Sequence, residues 1–184
     1  MCVILIKRKG QELPTYEMLK AMSMANPHGC GFASTRHSCK SLDFGYFYNE
    51  LLKVEKDEAC IIHFRYATQG AVNLSNCHPF RFGDVYFAHN GTLDIEPISD
   101  KTDSETAFLT EIVPYLKYGL HSKKLRQCVG NIIGRSRFAF LKGTDIVRFG
   151  LWQKFWGYEV SNTNFEYCFN WYFFDKKKLD SYFM

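Results

Sequence analysis

Apolar residues along this chain fall into short runs, and their spacing predicts a succession of elements. Val3, Ile4 and Ile6 are β-branched, and Lys7-Arg8-Lys9-Gly10 closes the run. This pattern predicts a buried strand over residues 2–7. After Pro14-Thr15, the residues Met18, Leu19 and Met22 recur at helical spacing. They predict a helix over residues 16–25 with Thr15 as its cap. Asn26-Pro27-His28-Gly29-Cys30-Gly31 reads as a turn, where glycine permits positive φ or close backbone approach. A strand follows at residues 32–34. Residues 44–54 are aromatic-rich and read as a short strand or loop and then a helix. The alternating charges of residues 53–58 read as a solvated face. Residues 59–66 are apolar on both faces up to His63, the pattern of a central strand.

The second half continues in the same way. Residues 67–76 are small and polar and predict a loop. Residues 80–82 and 85–89 flank Gly83-Asp84, the signature of an antiparallel hairpin. Thr102 or Ser104 can cap a helix whose apolar face is Ala107, Phe108, Ile112, Val113 and Leu116, with Pro114 enforcing a kink or an early end. Residues 122–133 predict another helix, with Leu125, Cys128, Val129 and Ile132 inward. Strands at 137–141 and 145–149 turn about Lys142-Gly143-Thr144. Further strands at 156–161 and 167–172 would make the last fifty residues a β-meander. The sum is two groups of strands with helices between and outside them: stacked antiparallel sheets flanked by helices, an α+β domain.

Composition narrows the function classes. A chain of 184 residues is most simply one domain, residues 1–184. With 46% hydrophobic and 17% aromatic residues it can build a bulky core. The formal net charge of +4 does not imply nucleic acid. Lys176-Lys177-Lys178 in an aromatic tail reads as a charge run beside core residues, not as a base-stacking platform. The seven cysteines are odd in number and hold no CxxC pair, and Val3-Ile4-Leu5-Ile6 is too short for a signal peptide. The expectation is a cytoplasmic, reducing environment with free thiols. No run approaches the ~18 apolar residues of a membrane span. His28-x-Cys30 and His37-x-Cys39 invite a zinc reading, but a spacing of one is unusual for zinc. Packing and loop roles are expected instead, with no metal and no cofactor.

The candidate chemistry starts at Met1-Cys2. Removal of Met1 would leave Cys2 carrying both a thiol and a free α-amine. Far downstream, Arg65 ends the predicted central strand, where a buried guanidinium calls for an anion. The motifs then fall in order: Met1-Cys2, His63-x-Arg65-Tyr66-Ala67-Thr68-x-Gly70, Asn76-x-His78-Pro79, His89-Asn90-Gly91 and Asp103-Ser104-Glu105.

This series resembles the class II glutamine amidotransferase domain, a member of the N-terminal nucleophile (Ntn) hydrolases. The resemblance implies a four-layer αββα sandwich and hydrolysis of the glutamine side-chain amide, with glutamine as substrate. It implies Cys2 as nucleophile and Asn90 and Gly91 as oxyanion donors. Arg65 would hold the substrate α-carboxylate and Asp103 its α-ammonium, with Tyr66, Thr68 and Gly70 lining the substrate loop. Tyr66 and Gln69 stand where tryptophan and histidine are common in the family, and Cys30 replaces a usual tryptophan. His78 and His89 read as structural. The family's domain is usually fused to a synthase domain. The expectations for this chain are therefore a free-standing glutaminase, a subunit serving a separate synthase or acceptor protein, or a hydrolase of another γ-glutamyl amide. A catalytically silent domain of the same fold is the alternative from a different class.

Overall fold

The computed structural model describes residues 1–68 and 70–172. Its strands form two antiparallel sheets. β1 (Val3–Lys7), β2 (Cys30–Ser34), β3 (Ser38–Ser41), β4 (Cys60–Phe64), β9 (Gln153–Phe155) and β10 (Tyr158–Val160) make the larger, in the order β3-β2-β4-β1-β10-β9. β5 (Phe80–Phe82), β6 (Val85–Asn90), β7 (Arg137–Lys142) and β8 (Asp145–Phe149) make the smaller, in chain order. Helices α1 (Tyr16–Ala25), α2 (Phe44–Leu51) and α6 (Glu166–Asn170) belong with the first sheet. Helices α3 (Asp103–Ala107), α4 (Val113–Leu116) and α5 (Lys123–Ile132) belong with the second.

The period-2 alternation of strand side chains produces the layers. Val3 and Leu5, with Cys60, Ile62 and Phe64, pack against α1 and α2. Phe138 and Phe140 pack toward Phe108 and Leu125 on the other side. The alternate residues Ile4, Ile6, Ala33, Ala59, Ile61, Ala88, Ala139 and Leu141 form a third core between the sheets. Three cores separate four layers, αββα. The small alanines let the two sheets close on each other. Gly31 serves the same end: a Cβ there would sit 2.2 Å from the His78 carbonyl oxygen, so only glycine lets β2 reach that segment.

Helix α1 has the limits that its spacing predicts, with the Thr15 hydroxyl accepting from the Met18 N–H. The hairpin β5–β6 and the central position of β4 also match the pattern. Several expectations are corrected. Residues 44–51 are helix from the start, because the Asp43 carboxylate caps the Tyr46 N–H at 2.6 Å. Glu58 is not on a solvated face. It is fully buried, accepting from the Ser34 hydroxyl and from the Arg36 and Glu55 N–H groups. Beside it the Lys7 ammonium is buried too, donating to the Glu55, Lys56 and Glu58 carbonyls.

Pro114 falls in the first turn of α4, and the π-helical turn Phe108–Ile112 joins α3 to α4. The C-terminal half is not one meander. β7–β8 extends the smaller sheet, while β9–β10 crosses to pair with β1. The predicted strand at 167–172 is replaced by helix α6, where Phe165 and Phe169 bury at helical spacing in the core shared with α1. Gln69 and Lys176-Lys177-Lys178 lie outside the described residues. Among the described residues no helix is long and apolar enough to cross a membrane.

Candidate active site

The site assembles where β1 begins and β4 and β6 end. Val3 pairs with Phe64, which sets Cys2 beside Arg65 and Tyr66. The Tyr66 N–H donates to Cys2 Sγ at 3.3 Å, and the thiol reaches the Tyr66 carbonyl at 3.6 Å. Burial raises the Cys2 pKa, opposed by the Tyr66 backbone hydrogen bond, the N-terminal charge and Arg65. The thiol thus needs a base to react near neutral pH. Two asparagines hold the backbone: Asn162 Nδ2 donates to the Cys2 carbonyl at 2.7 Å and Asn164 Nδ2 to the Met1 carbonyl at 2.8 Å.

A cavity opens over Cys2. Arg65, Tyr66, Thr68, Gly91 and Asp103 line it, all named from the sequence. Asn76, His78, His89, Thr102 and Ser104 complete the lining. Of these, Asn76 and His78 belong to the Asn-x-His-Pro motif and were legible as a motif but not as a wall. Thr102 and Ser104 were legible as caps, and Ser104 also within the Asp103-Ser104-Glu105 motif, but neither as a wall. The cavity volume of ≈ 40 Å³ holds about three waters.

Arg65 is nearly buried, its N–H bound to the Gly29 carbonyl and its own carbonyl receiving the His28 N–H. Its Nη1 donates to the Ala71 carbonyl at 2.9 Å, which ties the guanidinium to the loop. Gly70, at φ 73°, does not line the cavity. A Cβ there would lie 3.2 Å from Asn76 Nδ2 and from Thr102 Cγ2, so the turn at this positive φ suits glycine.

Asp103 opens α3. Its carboxylate accepts from the Leu93 N–H at 2.9 Å and the Ser104 N–H at 2.8 Å. Lone pairs remain for a further donor. Gly91 has φ 145°, and a Cβ there would lie 2.2 Å from Ser136 Oγ, so the cavity wall depends on glycine. Asn90 is placed differently from the expectation of an oxyanion donor facing the cavity. It is buried beside the lining, with its amide against Ser161 Oγ at 2.8 Å and its Oδ1 unpartnered.

Three buried histidines meet at the cavity, His78 and His89 in its lining and His63 edge-on against His78. His63 Nε2 and His78 Nδ1 are 2.9 Å apart, and His89 Nδ1 lies 2.6 Å from Ser104 Oγ. Burial lowers all three pKa values, to about 3 for His63 and about 4 for His89, so they are neutral imidazoles at pH 7. Among the described residues no group of three His, Cys, Asp or Glu is arranged to hold a metal ion. His28 Nδ1 instead accepts from the Ala67 N–H, and Cys30 donates to the Ser41 carbonyl.

Comparison with known proteins points to one family. Residues 49–133 match the family described as glutamine amidotransferases class-II. The chain is 29% identical over 115 residues to the probable glutamine amidotransferase DUG3 of Saccharomyces cerevisiae, a match taking in 53% of this chain and 32% of the yeast protein. Among solved structures, the allosteric regulatory enzyme of purine biosynthesis superposes with a TM-score of 0.56 at 17% identity, over 92% of this chain and 43% of that one. The two share a fold, and the match spans less than half the length of either relative.

Proposed function

We propose that this chain is a member of the class II glutamine amidotransferase family, whose description its residues 49–133 match, and that it hydrolyses the side-chain amide of glutamine through Cys2 once Met1 has been removed. The observation that carries this reading is the meeting of the Cys2 thiol, the Arg65 guanidinium and the Asp103 carboxylate in one cavity. A nucleophile, a cation and an anion are what glutamine requires: the first for its carboxamide, the others for its α-carboxylate and α-ammonium.

The freed α-amine titrates near ~8, so a neutral fraction exists at pH 7 to take the thiol proton. Sulfur attacks the carboxamide carbon, and the amide oxygen gains the charge. Gly91 N–H and the Asn90 amide are the donors proposed for that oxygen. The amine then passes its proton to the departing nitrogen, the C–N bond breaks, and ammonia leaves a thioester. Water attacks the thioester, releasing glutamate and restoring the thiol. The ammonia either diffuses away or passes to an acceptor on a separate synthase protein.

Ammonia release from glutamine by protein of verified mass lacking Met1 tests the reading, with Cys2→Ala as the inactive control. Absence of turnover together with absence of Cys2 labelling by a glutamine-like diazoketone would sink it.

A further inference from the structure

We infer that Ser161 is a positioning residue that turns the Asn90 amide so that its NH2 group faces the reacting carbonyl. The inference rests on the amide-hydrolysis reading above and adds to it a residue outside the cavity.

Ser161 follows β10 and is buried. Its Oγ receives the Ile4 N–H at 2.8 Å and lies 2.8 Å from the Asn90 amide. Its own N–H donates to the Ile4 carbonyl at 2.9 Å. Ile4 is two residues along β1 from Cys2, and the next residue, Asn162, holds the Cys2 carbonyl at 2.7 Å. Ser161-Asn162 therefore ties the nucleophile's strand to the end of β6 that carries Asn90.

The hydrogen-bond count decides which way the amide faces. With Nδ2 toward Ser161, the hydroxyl oxygen receives two N–H donors. Its own hydrogen then has no acceptor among the described residues, and Asn90 Oδ1 is buried without a donor. Two unmet buried groups at one contact are costly. A half-turn of the amide, which leaves its shape unchanged, satisfies both and leaves only the NH2 group, now in the buried site of the oxygen, without an acceptor. The hydroxyl then donates to Oδ1 and still receives the Ile4 N–H. The NH2 group then takes the buried position that Oδ1 held, away from Ser161, and it is the donor assigned to the developing oxyanion. That donor gains a partner only as charge forms, which favours the transition state over the bound substrate.

The test compares Ser161→Ala and Ser161→Thr with the wild type, all lacking Met1. Ammonia release from glutamine gives kcat and KM. Alkylation of Cys2 by iodoacetamide, a displacement at saturated carbon that builds no oxyanion, reports the placement of the thiol. Ser161→Ala is expected to lower kcat by ~10- to 100-fold with KM within about threefold and alkylation at the wild-type rate. Ser161→Thr, which keeps the hydroxyl, should recover most of kcat. A Ser161→Ala kcat within twofold of wild type would overturn the assignment while leaving the amidase reading intact. So would slowing of alkylation in step with kcat, which would make Ser161 only a support for β1. A wild type that releases no ammonia would overturn both.

Discussion

At the residue scale, the roles proposed for the cavity separate binding from chemistry. The Arg65 backbone is held by the Gly29 carbonyl and its Nη1 by the Ala71 carbonyl, so one arm of its fork is set before substrate arrives. Arg65→Lys keeps the charge but loses the planar fork. KM for glutamine should rise ~10-fold or more with a smaller change in kcat. An unchanged KM would show that the α-carboxylate binds elsewhere. Gly91 is a different case. A Gly91→Ala side chain would meet Ser136 Oγ at 2.2 Å from a backbone at φ 145°. Activity should fall sharply and the protein should be destabilised by about 2–4 kcal/mol. Chemical denaturation alongside the ammonia assay checks both effects. Some residues could not be read from their own letters. The orientation of Asn90 depends on Ser161, which lies 71 positions away, and no local pattern encodes that contact.

At the element scale, strands and helices with strong periodicity were legible. The helix Tyr16–Ala25 and the hairpin Phe80–Phe82/Val85–Asn90 carried their own caps and turns. Glu58 was hidden because a charge run looks the same whether its last carboxylate faces water or folds back onto its own turn. Helix α6 was misread because aromatic residues suit strands as well as buried helices, and its docking on α1 is a tertiary choice.

The histidine cluster, His63 near the end of β4, His78 beside β5 and His89 in β6, makes a prediction for these elements jointly. All three pKa values are lowered by burial relative to the unfolded chain. The unfolded state therefore takes up protons first as pH falls. Stability is full above ~6.5 and is lost as pH drops through the window toward 4. The slope approaches about 4 kcal/mol per pH unit if all three titrate together. Denaturation midpoints at pH 7 and pH 5 check this, and equal midpoints would show that the histidines are already solvated.

At the scale of the whole molecule, the sequence disclosed the class of fold but not its wiring. Two groups of strands were visible, yet the pairing of β10 with β1 joins residues more than 150 positions apart. That pairing brings Ser161, Asn162 and Asn164 to the N-terminus. The closeness of the sheets is set by Ala33, Ala59, Ala88 and Ala139. Ala139→Leu, which forces extra methylenes between the layers, should cost about 1–3 kcal/mol and lower Tm measurably. An unchanged Tm would mean that the layers are not close-packed there.

The central claim is that a free α-amine on Cys2 activates its own thiol. Its most direct measurement is the rate of ammonia release from glutamine by protein lacking Met1, set against protein that retains a residue before Cys2, with both masses verified. The account predicts turnover in the first and a rate lower by ~100-fold or more in the second, which has no adjacent base. Equal rates in the two forms would contradict it.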